Sequence, residues 1–170
     1  MKNEKAGREK AKKEKAGKEE AKARAVEIIA PERGGLYSIA VMTKKFFPYT
    51  HISLSDIEAR VKKDVKYLAA RAGGQTVGYV DYSLGEPAKI WGLAVLEEWR
   101  GKGIGEALFS RALDEVRKAG AEKAEIITTT DNAPALRLYR KHGFEYDRPY
   151  DRQLPGKEVV VMSKALIKGD

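Results

Sequence analysis

From about residue 24 onward the apolar positions alternate between two periods, near 2 and near 3.6 residues, which mark strands and helices in turn. Ala25 to Ala30 reads as a first strand. Gly35 to Phe47 has no clean period and accommodates a short helix that Pro48 would end. Ser55-Asp-Ile-Glu58 has the form of a capping box, opening a helix towards Lys63. Val65 to Arg71, Thr76 to Leu84 and Ala88 to Leu96 then read as three strands, joined by Gly73-Gly74 and Gly85-Glu86-Pro87. Such short joints make hairpins, so this part of the sheet is expected to be antiparallel.

Past a glycine-rich turn at residues 101–105, Ile104, Leu108, Phe109, Ala112, Leu113 and Val116 recur at helical spacing until Gly120 stops the helix. Glu122 to Thr129 is strand-like and Asn132 to Lys141 helical. Two last strands are expected at Phe144–Pro149 and Glu158–Lys164. The pattern predicts an α/β (α+β) domain, a mixed and mostly antiparallel central sheet of six to seven strands flanked by helices.

Residues 1–23 follow neither period. They run as a loose pentad in which Glu4 with Arg8, Glu9 with Lys13 and Glu14 with Lys18 form i,i+4 pairs in the favourable order. A five-residue repeat advances about 140° beyond a full helical turn, so the alanines spiral and build no apolar stripe. Gly7 and Gly17 each cost about 1 kcal/mol against alanine. The expected organisation is a solvated or disordered arm over 1–23, one domain over 24–166 and a short tail over 167–170.

Composition changes this picture in three places. The 170-residue chain has no cysteine, which removes disulfides, thiolate metal sites and any covalent intermediate on sulfur. His51 and His142 stand apart without clustered ligand types, so no metal is expected. The net charge of +8 suggests nucleic acid at first sight, but residues 1–24 hold ten Lys/Arg against five Glu and the rest 23 against 20. The arm is therefore the only part from which nucleic-acid contact is expected. No apolar run reaches the roughly 20 residues of a membrane span and no secretory leader is evident, so a cytoplasmic protein is expected.

The candidate chemistry lies in Trp91 to Leu108, where a strand, a turn with three alternate glycines and a strong helix follow one another. Free N–H groups at a helix N-terminus favour an anion, and glycine lets a phosphate approach the backbone. A P-loop would need Ser or Thr after the lysine, and a dinucleotide fingerprint would need glycine where Glu106 stands. Neither matches, which leaves a pyrophosphate turn of another kind or a purely structural one.

The spacing Arg100-x-x-Gly103-x-Gly105 between a strand and a long helix resembles the coenzyme A pyrophosphate motif of the GNAT superfamily of N-acetyltransferases. Asn132-Ala-Pro-Ala-Leu-Arg-Leu-Tyr-Arg-Lys-His-Gly-Phe144 is similar to that family's later signature, and the likeness covers residues 24–166. It implies acetyl-CoA as co-substrate and transfer of the acetyl group to a primary amine by direct attack in a ternary complex. The acceptor would be a peptide N-terminus, a lysine or a small polar amine.

By the same resemblance, the backbone of Leu93, Ala94 and Val95 would pair with the pantetheine arm. Arg100, Gly101, Lys102, Gly103, Ile104, Gly105 and Glu106 would cradle the pyrophosphate. Asn132 would bond the pantetheine, and Tyr139 would serve the sulfur as general acid. From the residues alone Tyr139 is equally a core aromatic, Asn132 an N-cap and Arg100 a surface charge. Ile127 and Lys89 stand where two branches of the family place a glutamate base, so the resemblance implies deprotonation through water, helped by Glu125 or by the polar segment Asp147 to Arg152. Two other readings stay open: a non-catalytic acyl-CoA-binding module, and an RNA- or ribosome-associated factor using the arm.

Overall fold

A computed structural model of the chain describes residues 25–166; the pentad arm and the last four residues, and the expectations made for them, lie outside the described residues. Seven strands form one sheet, in the order β1-β2-β3-β4-β5-β7-β6. They are β1 (Val26–Ile29), β2 (Val65–Ala72), β3 (Gln75–Ser83), β4 (Ala88–Val95), β5 (Lys123–Thr129), β6 (Glu145–Pro149) and β7 (Val159–Ala165). All neighbours are antiparallel except β4 and β5, which run parallel. The mixed, mostly antiparallel seven-stranded sheet agrees with the sequence-based expectation.

Four helices cover the two faces: α1 (Arg33–Phe46), α2 (Leu54–Lys62), α3 (Ile104–Lys118) and α4 (Ala133–Lys141). On one face, α3 buries Leu108, Phe109, Ala112, Leu113 and Val116 against Val80, Ile90 and Ile126, with Tyr139 of α4 and Phe144 closing the cluster. At about 25 cal/mol per Å² of apolar area, this stripe supplies much of what holds α3 down. On the other face, Ile39, Ala40 and Met42 of α1 and Ile57 of α2 cover Tyr67, Tyr79 and Ala94. Thr43 ties α1 to β3 through a 2.8 Å hydrogen bond with the Tyr79 hydroxyl.

Two local expectations change. The ambiguous stretch before Pro48 is a 14-residue helix that starts at Arg33, ahead of Gly34 and Gly35. Glycine disfavours that start, but a side chain at 35 would place Cβ 2.9 Å from the Pro31 Cβ, so the tight entry itself needs glycine. The capping box of α2 is Ser53 with Asp56, not Ser55 with Glu58. The Ser53 hydroxyl accepts from the Asp56 N–H, and the Asp56 carboxylate accepts from the Ser53 N–H at 2.8 Å.

Candidate active site

The site is built by strands that stop pairing. β4 and β5 are joined only at Ala88–Ala124, Lys89–Glu125 and Ile90–Ile126; beyond Ile90, β4 pairs with β3 alone, and beyond Ile126, β5 pairs with β7 alone. The cause lies in β4. Asp81 of β3 faces Gly92 while Tyr82 faces Ile90, so Trp91 is an extra residue, a bulge that bends β4 away from β5.

The exposed edge of β4 can be read from one hydrogen bond. The Leu96 N–H donates to the Val77 carbonyl on the β3 side, so the Val95 carbonyl, trans to it across the peptide plane, points to the opposite, open edge. Strand alternation then puts the N–H groups of Leu93 and Val95 on that edge and turns those of Ala94 towards β3. Of the three residues expected to pair with a pantetheine arm, Leu93 offers free backbone groups, Val95 offers its N–H while its carbonyl accepts from Arg100, and Ala94 offers packing.

The glycine-rich turn sits at the same end of β4. Gly101 and Gly103 have φ of +71° and +78°, the left-handed region that favours glycine, and nothing lies within 4 Å of where either Cβ would be. Gly103 is the N-cap of α3, and the first helical bond runs from the Ala107 N–H to the Gly103 carbonyl. The N–H groups of Ile104, Gly105 and Glu106 therefore have no intrahelical partner. Three open donors at a helix N-terminus beside a bare strand edge fit a pyrophosphate followed by an extended arm, the form of an acyl-coenzyme A.

Several side chains of this turn are engaged elsewhere. The Arg100 Nε–H donates to the Val95 carbonyl at 3.0 Å, and its guanidinium lies 5.3 Å from the centre of the Phe46 ring. Lys102 bonds the Glu98 carbonyl and covers the Trp99 ring. The Glu106 carboxylate binds Lys141 at 2.7 Å, tying α3 to α4, and that bond holds it below the usual carboxylate range. What the turn presents to an anion is thus chiefly its backbone.

Asn132 caps α4, its Oδ1 accepting from the Ala135 N–H at 3.4 Å, which leaves its amide N–H groups to donate outward. Tyr139 is 6% exposed and packs on Phe109 with ring centres 5.2 Å apart. Burial alone raises its phenol well above the ordinary tyrosine value, so it stays protonated. His142 ends α4 as its C-cap, edge-on to Phe109, and burial lowers its pKa. His51 lies in an exposed loop with φ of +50°.

Glu125, expected as a helper in deprotonation, is held in an ion pair. Both its oxygens accept from Arg148, at 3.0 and 3.1 Å, with Lys123 a further 3.4 Å away, and the Arg148 hydrogen bonds hold the carboxyl below its usual range. Asp147 and Arg148 likewise belong to β6 and this ion-pair group rather than to a free acceptor loop. Sequence reasoning missed a second pair. Asp81, 3% exposed, accepts from Arg60 of α2 at 2.7 Å on the face that α1 and α2 cover. Burial pushes its carboxyl up to about 6 despite the arginine. The available signal was an acidic residue inside an apolar strand.

A strand edge parted from its neighbour and a glycine turn of open N–H donors fit the acyl-CoA-dependent transferases. The profile described as "Acetyltransferase (GNAT) family" matches residues 24–144, and the chain belongs to that family. It is 30% identical over 123 residues to the IAA acetyltransferase of Azospirillum brasilense, spanning 71% of this chain and 80% of that protein. Its fold is similar to the crystal structure of the ribosomal-protein-S18-alanine N-acetyltransferase from Escherichia coli (TM-score 0.71, 20% identity, 83% of this chain and 94% of that one). It is also similar to yncA, a putative acetyltransferase from Salmonella typhimurium solved with acetyl-CoA (TM-score 0.69, 20% identity, 85% and 96%). The protein is a GNAT N-acetyltransferase, of a family that typically uses acetyl-CoA. Among the described residues no helix is long and apolar enough to cross a membrane.

Proposed function

We propose that this protein acetylates the primary amine of a peptide or small polar molecule by direct attack in a ternary complex. The observation that carries the reading is the opening between β4 and β5, with the Leu93 and Val95 N–H groups on its edge. Acetyl-CoA supplies a thioester, whose carbon is electrophilic and whose sulfur leaves as a thiolate. The residues at the opening then have separate tasks.

The backbone N–H groups of Ile104, Gly105 and Glu106 and the dipole of α3 bind the pyrophosphate; the Glu106 carboxylate is paired with Lys141. The Val95 N–H and the Asn132 amide orient the pantetheine. The Leu93 N–H donates to the acetyl carbonyl, and because it is fixed before reaction it needs no reorganisation as negative charge grows there. Tyr139 holds a proton at its hydroxyl. Since burial raises that phenol, giving the proton up outright is unfavourable, so Tyr139 relays to the sulfur the proton that the amine nitrogen sheds. With Glu125 locked to Arg148, the first proton of an ammonium acceptor leaves through solvent.

The test is an acceptor screen over peptide N-termini, lysine peptides, polyamines and amino acids. The chain has no cysteine, so released coenzyme A is read with a thiol reagent against no protein background. Acetyl-CoA is expected to raise the melting temperature and at least one peptide or polar amine to release thiol. A thermal shift without turnover of any acceptor would favour the non-catalytic acyl-CoA-binding module instead.

A further inference from the structure

The α2 face of the sheet, around the point where β4 leaves β5, carries a charge group that is one anion short. Arg60 meets Asp81 at 2.7 Å. Arg148 meets Glu125 at 3.0 Å, and Lys123 meets Asp147 at 2.8 Å. The fourth cation, Lys89, stands across from Glu125 in the β4–β5 register, yet forms no ion pair among the described residues. Arg148 already takes both oxygens of that carboxylate.

The surplus charge has a definite place. The Lys89 ammonium lies 5.4 Å and the Arg60 guanidinium 5.9 Å from the centre of the same Trp91 indole. The Trp91 Nε1–H donates to the Ser83 hydroxyl at 3.2 Å, which fixes the ring. Asp81 engages only Nη2 of Arg60, so the other guanidinium donors are not used by it. A guanidinium and an ammonium on one indole gain cation–π attraction but still repel each other. An anion within reach of both would offset that repulsion and satisfy donors on each. Trp91 is the bulge residue itself, two positions before Leu93 on β4.

We propose that the amine acceptor carries an anionic group, a carboxylate or a phosphate, held by Lys89 and Arg60 against Trp91. At about 3.3 Å per strand residue, Trp91 stands about 7 Å along β4 from Leu93, which sets the scale of the spacing between that group and the reacting amine. This rests on the amine-acetyltransferase reading above and narrows its substrate class. Asp81 acts here as a positioning residue: it keeps the Arg60 guanidinium against the indole and touches no substrate.

The experiment titrates the full chain, saturated with coenzyme A, with ω-amino carboxylates from 3-aminopropanoate to 6-aminohexanoate, their neutral amides, and aminoalkyl phosphonates of matching lengths. At the favoured length an acid is expected to bind at least tenfold tighter than its amide, and the carboxylate and phosphonate series identify which anion is preferred. Lys89→Met should bring the acid-to-amide ratio within about threefold of one, Lys89→Arg should restore it, and Lys89→Glu should invert it. Since Lys89 has no carboxylate partner, none of these variants leaves a buried charge unpaired. Acids binding no tighter than amides at every length, or a ratio unmoved by Lys89→Met, would overturn the proposal. Anion-selective binding without acetyl transfer would instead remove the transferase reading, and equal turnover of acids and amides would leave that reading standing and remove this one.

Discussion

Tyr139 packs as a core aromatic and is proposed as an acid, and its burial makes the two compatible. A phenol pressed against Phe109 loses the solvent that would stabilise its phenolate, so it is held protonated. Tyr139→Phe keeps the ring contacts; it is expected to leave the acetyl-CoA thermal shift intact and lower kcat by about 10² to 10⁴, the range for a lost general acid. Unchanged kcat would return Tyr139 to packing alone. Asp81 makes a prediction through pH. Its folded pKa, about 6, lies above the ordinary value, so ionising it opposes folding. Its favourable contribution is complete below the unfolded value and is lost as pH rises through about 6. The carboxylates held low by hydrogen bonds, such as Asp56 and Asp147, act in the opposite sense as pH falls. The difference in melting temperature between the parent and Asp81→Asn should therefore change between about pH 4 and 6 and be flat above 7. Asn132 as an N-cap and the glycine turn before α3 were legible in the sequence because capping and turns depend on local spacing. The Arg60–Asp81 and Glu125–Arg148 pairs were not, since each joins residues more than 20 positions apart and strand alternation says only which face a residue takes.

At the scale of elements, everything that makes the site turns on the β4 bulge. The order of the strands, the long α3 and its stop at Gly120 were readable, because period and punctuation are local signals, whereas α1 with its two leading glycines was left ambiguous. The parting of β4 from β5 was not: it depends on one surplus residue, Trp91, counted against β3, and no periodicity records a count between two strands. Gly92 is where the bulge is most sensitive. A Cβ there would lie 2.6 Å from the Asp81 Oδ1 and 3.6 Å from the Tyr79 hydroxyl, in a region with no slack. Gly92→Ala is expected to cost about 1 to 3 kcal/mol, as overpacked cores do, read as a lower denaturant midpoint. Because the carboxylate must move, Arg60 moves with it, so any anion selectivity of the acceptor site should fall along with stability. Gly103→Glu isolates the other arm of the site. Its φ of +78° disfavours a side chain, and its carboxylate would stand at the anion-binding end of α3. The variant should lose the acetyl-CoA thermal shift, and retention of a full shift would place the pyrophosphate elsewhere.

Over the whole molecule, the net charge of +8 misleads unless its distribution is considered. Five of those charges lie in residues 1–24, outside the described domain, and the remaining residues carry +3. Within the described domain, Arg60, Lys123 and Arg148 are matched by carboxylates, and Lys89 stands beside them in a mixed-charge group rather than in a basic stripe of the kind that tracks a nucleic acid. The family profile matches residues 24–144, and the seven strands and both core clusters lie within residues 26–166, so the domain has what it needs to fold without the pentad repeat. By its sequence that repeat has no continuous apolar stripe, and i,i+4 pairs of this kind would contribute only a few tenths of a kcal/mol each in a helix. Deleting residues 1–23 is therefore expected to shift the melting temperature by no more than about 2 °C, the scale of surface changes below 0.5 kcal/mol, and to leave acetyl-CoA binding unchanged. Retention on heparin, by contrast, should fall sharply, because binding to a polyanion follows the number of cations available to release counterions. A large loss of thermal stability in the truncated protein would show that the arm packs on the domain, and unchanged heparin retention would place the polyanion-binding charge on the domain itself.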